Sequence, residues 1–330
     1  MKVTEIGERS FVERLCQRLT RRFGWDPRLK VGPGDDAAVV SVGDCLVVLT
    51  VDGQIEGVHF RRSWMPFYDL GWKAVAISIS DLTSMGARPL CLLLSVALSG
   101  EETLEELDQL YDGAADACLR FSCLFVGGDT SKSGDGLWVV STALGLVNGS
   151  FWTRSGGKDG DRLIVTGSLG EAAAGLLLLE KAVGTNNDPC VLRFRRPEPP
   201  ADLLPLLRSF SLHAAIDISD GLVLDASRLA FSSGLEAVID LPSVPLSKSL
   251  KEACRLLDHN PLPLALTGGE DYQLLMAVSA SDADAVVTAI TQFGGSATVI
   301  GSLRQGTPGA VIGRDQEGKP VRLSGGYQHF

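Results

Sequence analysis

Ala214-Ala-Ile-Asp-Ile-Ser-Asp-Gly-Leu-Val-Leu-Asp225 is the stretch on which the reading of this chain turns. Ala214, Ala215, Ile216 and Ile218 have the apolar density of a buried strand, and Leu222 to Leu229 carry helical spacing. Asp217, Ser219, Asp220 and Gly221 therefore stand where a strand gives way to a helix. Glycine there lets backbone come close to a ligand, and carboxylates are hard oxygen ligands suited to Mg²⁺. A helix cap explains one such polar residue. It does not explain two aspartates and a serine in succession.

The same grammar recurs on either side. Upstream, Gly32-Pro-Gly-Asp-Asp36 is a turn before the apolar run Ala37 to Val40, and the strand Cys45 to Val51 closes on Asp52 and Gly53. A strand over Ser122 to Val126 runs into Gly127-Gly-Asp-Thr130. Downstream, Thr267-Gly-Gly-Glu-Asp271 leads into the strand Tyr272 to Val278. Phe11, Leu15 and Leu19 set an amphipathic helix over 8–23, and Leu70 to Met85 reads as a buried helix carrying Asp81. A lone buried carboxylate is costly, so Asp81 should meet a cation or several donors.

Further strands are expected at Cys91 to Leu98, Trp138 to Val147, Arg162 to Thr166, Glu236 to Leu241 and 297–303. Further helices are expected at Glu101 to Phe121, Gly170 to Ala182, 246–257 and 282–293. The proline-rich Arg196 to Pro205 reads as a surface connection. This alternation predicts an α/β protein of the α+β type in two domains, 1–149 and 150–330.

Composition narrows the function. The chain has 330 residues, 45% apolar, with a net charge of −10. That charge argues against nucleic acid or an anionic membrane as partner, since both reward basic patches. The seven cysteines include no Cys-x-x-Cys pair and fit reduced thiols. No apolar signal core or membrane-length run occurs, so a soluble cytoplasmic protein is expected.

Asp35, Asp36, Asp52, Asp81, Asp129, Asp217, Asp220, Glu270 and Asp271 all fall at expected element ends or beside glycines. Gathered together they would repel one another unless divalent cations neutralised them. Acids beside Gly-rich turns describe a multi-metal site for a nucleotide triphosphate. There is no Walker-type Gly-x-x-x-x-Gly-Lys-Ser/Thr motif and no dinucleotide Gly-x-Gly-x-x-Gly fingerprint after a strand. Arg154 is the best phosphate-clamp candidate, though a solvated turn arginine fits its spacing equally. His59 reads, on spacing alone, as structural.

Taken in order, these motifs resemble the thiamine-monophosphate kinase family, within the superfamily of aminoimidazole ribonucleotide synthetase and selenophosphate synthetase. The matching residues are Gly34 to Ala38, Glu56 to Phe60, Ser80 to Ala87 with Pro89, and Gly127 to Thr130. They continue through Arg154-Ser-Gly, Gly160-Asp161, Ile216 to Leu222, Gly268 to Tyr272 and Gly326 to Phe330.

The resemblance implies Mg²⁺-dependent transfer of the γ-phosphoryl group of ATP onto thiamine monophosphate. It implies a homodimer whose N-terminal sheets join into a barrel, each followed by a C-terminal α/β sandwich. It implies Asp36, Asp52, Asp81, Asp129, Asp217 and Asp220 as magnesium ligands, with Thr50 assisting. Gly128, Asp129, Arg154 and Ser219 would address the nucleotide, with Tyr111 lining its site. His59, Glu270 and Tyr327 would contact the thiamine phosphate, which overrules the structural reading of His59.

Asp217, Asp220 and Arg154 would carry the catalytic charge work. Val51 stands where relatives often have Thr or Ser, so ligation there falls to its backbone carbonyl. Gly53-Gln54 replaces a more apolar pair. The rival readings are another superfamily enzyme with a different acceptor and a catalytically silent nucleotide-binding module.

Overall fold

The computed structural model describes residues 3–24 and 26–327. The last three residues of the Gly326 to Phe330 motif lie outside them. Helix α1 (Val3–Phe23) starts earlier than its apolar spacing suggests and bends at Gly7, where φ is 75°.

The first half builds one open sheet from β1 (Leu29–Val31), β2 (Ala38–Val42), β3 (Cys45–Ile55), β4 (Arg88–Leu98), β5 (Leu124–Lys132) and β6 (Trp138–Val147). Their order is β1-β2-β3-β6-β4-β5, and only β4 and β5 run parallel. Helices α2 (Phe67–Ser84) and α3 (Leu104–Arg120) accompany it. Leu70, Val75, Ile79 and Leu82 of α2 share a core with Val39, Val48, Leu92, Leu94, Val139 and Ala143 of the strands. The two helices meet backbone to backbone. A Cβ on Gly71 would lie 1.9 Å from the Leu110 carbonyl oxygen, and one on Gly113 would lie 1.9 Å from that of Tyr68.

Two strands run further than the sequence suggests. β3 does not close at Asp52: its ladder with β6 continues through Asp52↔Ser141 to Ile55↔Trp138. β5 does not end before Gly127-Gly-Asp-Thr130 but passes through it, pairing Asp129 with Ser95. The glycines there serve strand packing, since a Cβ on Gly128 would fall 1.8 Å from the Leu94 carbonyl oxygen. A bulge between Leu92 and Leu93 marks the same spot.

The second half builds a mixed sheet from β7 (Arg162–Thr166), β8 (Leu212–Ile218), β9 (Glu236–Asp240), β10 (Gln273–Val278), β11 (Ala297–Arg304), β12 (Val311–Arg314) and β13 (Pro320–Leu323). The order is β13-β12-β9-β11-β7-β10-β8. Its helices are α4 (Glu171–Glu180), α5 (Pro189–Arg195), α6 (Leu204–Leu207), α7 (Leu222–Ser232), α8 (Lys248–Leu257), α9 (Pro261–Thr267) and α10 (Ala283–Gln292).

Strand periodicity sorts β10 between two cores. Leu275 and Ala277 pack with α7 and α9, whereas Leu274, Met276 and Val278 pack with α6 and α10. Cover on both faces is why β8 and β10 read as continuous apolar runs.

The Arg196 to Pro205 stretch is less of a surface connection than its prolines imply. Leu203 and Leu204 are buried, and the segment lies along α2 and α3. Trp72 Nε1 donates to the Pro197 carbonyl at 3.1 Å, Arg196 pairs with the buried Asp69, and Arg120 pairs with Asp202 at 2.8 Å. These contacts close the two-domain α/β fold along α2. No helix among the described residues is long and apolar enough to cross a membrane.

Candidate active site

The β8–α7 turn lies against α2. Asp217 is buried near the end of β8, and Ser80 Oγ of α2 donates to its Oδ2 at 2.7 Å. Gly221 has φ 116°, and a Cβ there would sit 2.9 Å from the Thr267 carbonyl carbon, so only glycine lets the 267–269 loop come this near. Asp225, in the first turn of α7, accepts the backbone N–H groups of Asp220 and Gly221, both at 3.0 Å. Arg228 bridges Asp225 at 2.8 Å and Asp220 at 2.5 Å. Asp220 is thereby oriented from both its backbone and its side chain.

From the first half come Asp36, Thr50, Asp52 and Asp81. Alternation along β3 puts Thr50 and Asp52 on one face and leaves Val51, 64% exposed, on the other. Thr50 Oγ1 donates to Asp81, and the Asp52 and Asp81 carboxyls are near enough to act on each other's charge. Burial, reinforced by the neighbouring aspartates, pushes the pKa values of Asp52, Asp81 and Asp217 up.

Arg154 lies across Asp36. Its Nε donates to Asp36 Oδ1 at 2.8 Å, its Nη2 makes a second bond to the same oxygen, and its backbone N–H reaches both Asp35 oxygens at 3.2 Å. Burial works against this cation, but Asp36 and Asp35 outweigh it and raise its pKa. Asp35 itself is pushed up to about 6 by burial and by Asp36.

The 268–272 loop completes the junction. Glu270 and Tyr272 adopt positive φ of 68° and 49°, held by Glu270 N donating to Ser219 O at 2.7 Å and Tyr272 N donating to Ile218 O at 2.8 Å. The buried Tyr272 phenol is pushed up by burial and by the carboxylates of Glu270, Asp52, Asp217 and Asp220. Sequence reasoning did not single it out. Only its position beside Glu270-Asp271 could have signalled it.

Tyr327 reaches the same turn through its backbone N–H, which donates to the Asp220 carbonyl at 3.0 Å. His59 Nδ1 accepts the Ile55 N–H at 3.0 Å, which places the ring proton of the neutral imidazole on Nε2. Three anticipated residues lie apart from the buried acids. Gly128 and Asp129 are exposed on edge strand β5, where Asp129 accepts from Ser131 at 2.8 Å, and Tyr111 packs edge-on against Phe125.

The donor set fits a hard cation. Asp36 Oδ2 is buried with no hydrogen-bond partner, beside the Asp52 and Asp81 carboxyls. Among the described residues no three His, Cys, Asp or Glu side chains form a ready-made metal cage. Mg²⁺ takes one or two carboxylates and leaves the rest of its octahedron to water and phosphate. A cavity of about 350 Å³ opens beside Asp35, Asp36 and Thr50.

This arrangement has recognisable relatives. The AIR synthase related N-terminal domain matches residues 34–147, and the AIR synthase related C-terminal domain matches 158–313. Thiamine-monophosphate kinase of Aquifex aeolicus (strain VF5) is 35% identical over 83% of this chain and 87% of its own. The Bacillus subtilis (strain 168) enzyme of the same name is 32% identical over 96% and 98%.

The chain belongs to the AIR synthase related family, among its thiamine-monophosphate kinases.

The structure described as AaThiL complexed with AMPPCP and TMP superposes with a TM-score of 0.86 at 32% identity, covering 100% of this kinase and 99% of that chain. The hydrogenase maturation protein HypE in complex with ATP shares the fold alone, at 20% identity and a TM-score of 0.72.

Proposed function

We propose that this kinase transfers the γ-phosphoryl group of ATP directly, in line, onto thiamine monophosphate, giving thiamine diphosphate, with several Mg²⁺ ions. One observation carries the reading: Asp36, Asp52 and Asp81 from one half and Asp217 and Asp220 from the other converge on a junction that also holds Arg154 and Glu270. The similarity to a relative solved with AMPPCP and TMP supports the substrate pair.

In this reading Asp36, Thr50, Asp52, Asp81, Asp129, Asp217, Asp220 and the Val51 carbonyl hold Mg²⁺, which supplies the charge neutralisation that two phosphate esters need to approach. Arg154 binds nucleotide phosphate, and Gly128, Asp129, Ser219 and Tyr111 complete the nucleotide site. Glu270, His59 through its Nε2–H, and Tyr327 address thiamine monophosphate. The acceptor oxygen is already anionic near neutral pH, since a phosphate monoester loses its second proton near pH ~6. No general base is required, and catalysis reduces to positioning and electrostatics.

The domains divide at 149/150. The working form is a cytoplasmic homodimer whose N-terminal sheets close a barrel between copies. Leu124, Phe125 and Val126 on edge strand β5, at 63%, 39% and 53% exposure, support that partner, because an exposed apolar edge invites pairing. The test is product analysis with ATP, Mg²⁺ and thiamine monophosphate. Thiamine diphosphate should form one-for-one with ADP and disappear with a chelator. Tight ATP binding with no thiamine diphosphate would move the assignment to another acceptor or to a silent binding module.

A further inference from the structure

Lys73 lies in the middle of α2 with none of its surface exposed, flanked by the buried Leu70, Ala74 and Ile77. Its ammonium has two neighbours: Glu270 Oε1 at 2.9 Å, an ion pair whose angles fall outside those of a hydrogen bond, and the face of the Phe194 ring, with its centroid at 3.9 Å. Among the described residues no other cation pairs with Glu270. Burying an ammonium costs several kcal/mol, and a buried ion pair seldom stabilises more than apolar side chains of equal volume would. A methionine would fill this space at less cost. The lysine is therefore better explained by what it does to Glu270 than by what it adds to the core.

We propose that Lys73 is a positioning residue for substrate capture, holding one oxygen of Glu270 so that the carboxylate keeps a fixed aim toward thiamine monophosphate. The proposal rests on Glu270 being a substrate contact. The Glu270 backbone is already pinned at positive φ by the bonds to Ser219 and Ile218 on either side of Asp271. What remains loose is a long side chain, 24% exposed, at the wall of a cavity of about 560 Å³ that is also lined by Arg120, Glu171, Arg193 and Asp271. Lys73 removes that last freedom.

Lys73 also stands seven residues before Ser80, two helical turns or about 10.5 Å along one face of α2. Ser80 holds Asp217 and Lys73 holds Glu270. One rigid helix thus sets the spacing between a phosphate-side carboxylate and a substrate-side carboxylate. Burial pulls the lysine pKa down, and Glu270 works against that fall.

Steady-state kinetics of Lys73→Met, Glu270→Gln and the double variant decide the matter, with KM for each substrate and kcat measured separately. Glu270→Gln should raise KM for thiamine monophosphate about tenfold or more, as loss of a charge-assisted contact does. Lys73→Met should raise the same KM about as much, with KM for ATP unmoved. The double variant should match Glu270→Gln alone, because Lys73 acts only through Glu270. It also leaves no buried charge behind, so it decides the question if Lys73→Met fails to fold.

A double variant whose defect is the product of two single defects would overturn the proposal. So would Glu270→Gln impairing capture while Lys73→Met leaves it intact. Glu270→Gln with an unchanged KM would instead remove Glu270 from the substrate site, and the proposal with it.

Discussion

Ser80→Ala isolates the contact on which the junction depends. The Ser80 hydroxyl donates to Asp217 Oδ2 at 2.7 Å, joining side chains 137 positions apart, with Ser80 only 1% exposed. Alanine adds no atom and leaves α2 unstrained, so only the hydrogen bond is lost. A bond to a charged group contributes about 1.5–3 kcal/mol, against about 1 kcal/mol for a neutral pair. Ser78→Ala is the matched control, since Ser78 Oγ meets Ser141 Oγ at 2.7 Å on the same helix without touching the acids.

In urea unfolding, Ser80→Ala should lose about 1.5–3 kcal/mol and Ser78→Ala about 1 kcal/mol. Turnover should fall by about tenfold or more for Ser80→Ala, the equivalent of ~1.4 kcal/mol of lost positioning, and hold for Ser78→Ala. Wild-type unfolding and wild-type turnover in Ser80→Ala would refute the claim that α2 positions Asp217.

Asp217→Asn should fold at least as stably as the parent in metal-free buffer, because it removes a buried charge already disfavoured by burial and by Asp36. Its kcat should nevertheless drop by on the order of 10²–10³; circular dichroism and a coupled ADP assay check both halves. Glu102 gives a pH signature. Burial works to raise its carboxyl, but hydrogen bonds from Ser99, Gly100 and Arg62 prevail and lower it from 4.5 to about 2. A depressed carboxylate contributes its stability above the unfolded value and loses it as pH falls. The stability gap between the parent and Glu102→Gln, measured by chemical unfolding, should therefore be full above pH ~4.5 and shrink toward pH ~2.

Much of this was legible because it is local. The β8–α7 motif, the buried character of α2 and the alternation of strands and helices follow from residue periodicity and from aspartates set beside glycines. Elements built on weaker signals escaped. α5 and α9 are short and start at Pro189 and Pro261, which occupy first-turn positions that proline tolerates. β12 and β13 lie in a glycine-rich stretch with few apolar residues.

The ends of β3 and β5 were misplaced because glycine reads as a turn, whereas Gly128 is there for close strand packing. Asp129 accordingly lies within a strand rather than at its exit. Of the site, the acids announced themselves by type and setting. The partners of Lys73 and Tyr272 did not, because a buried ammonium and a buried phenol meet neighbours that only the fold brings near.

The central claim is that the junction acids hold nucleotide phosphate only through divalent cations. Calorimetric titration of the intact protein with the non-hydrolysable analogue AMPPCP, with and without Mg²⁺, tests it most directly. Binding should be clear with Mg²⁺ and vanish when the ion is chelated, since five carboxylates and a triphosphate otherwise repel. Equal affinity without Mg²⁺ would contradict the account and leave Arg154 as the phosphate site on its own.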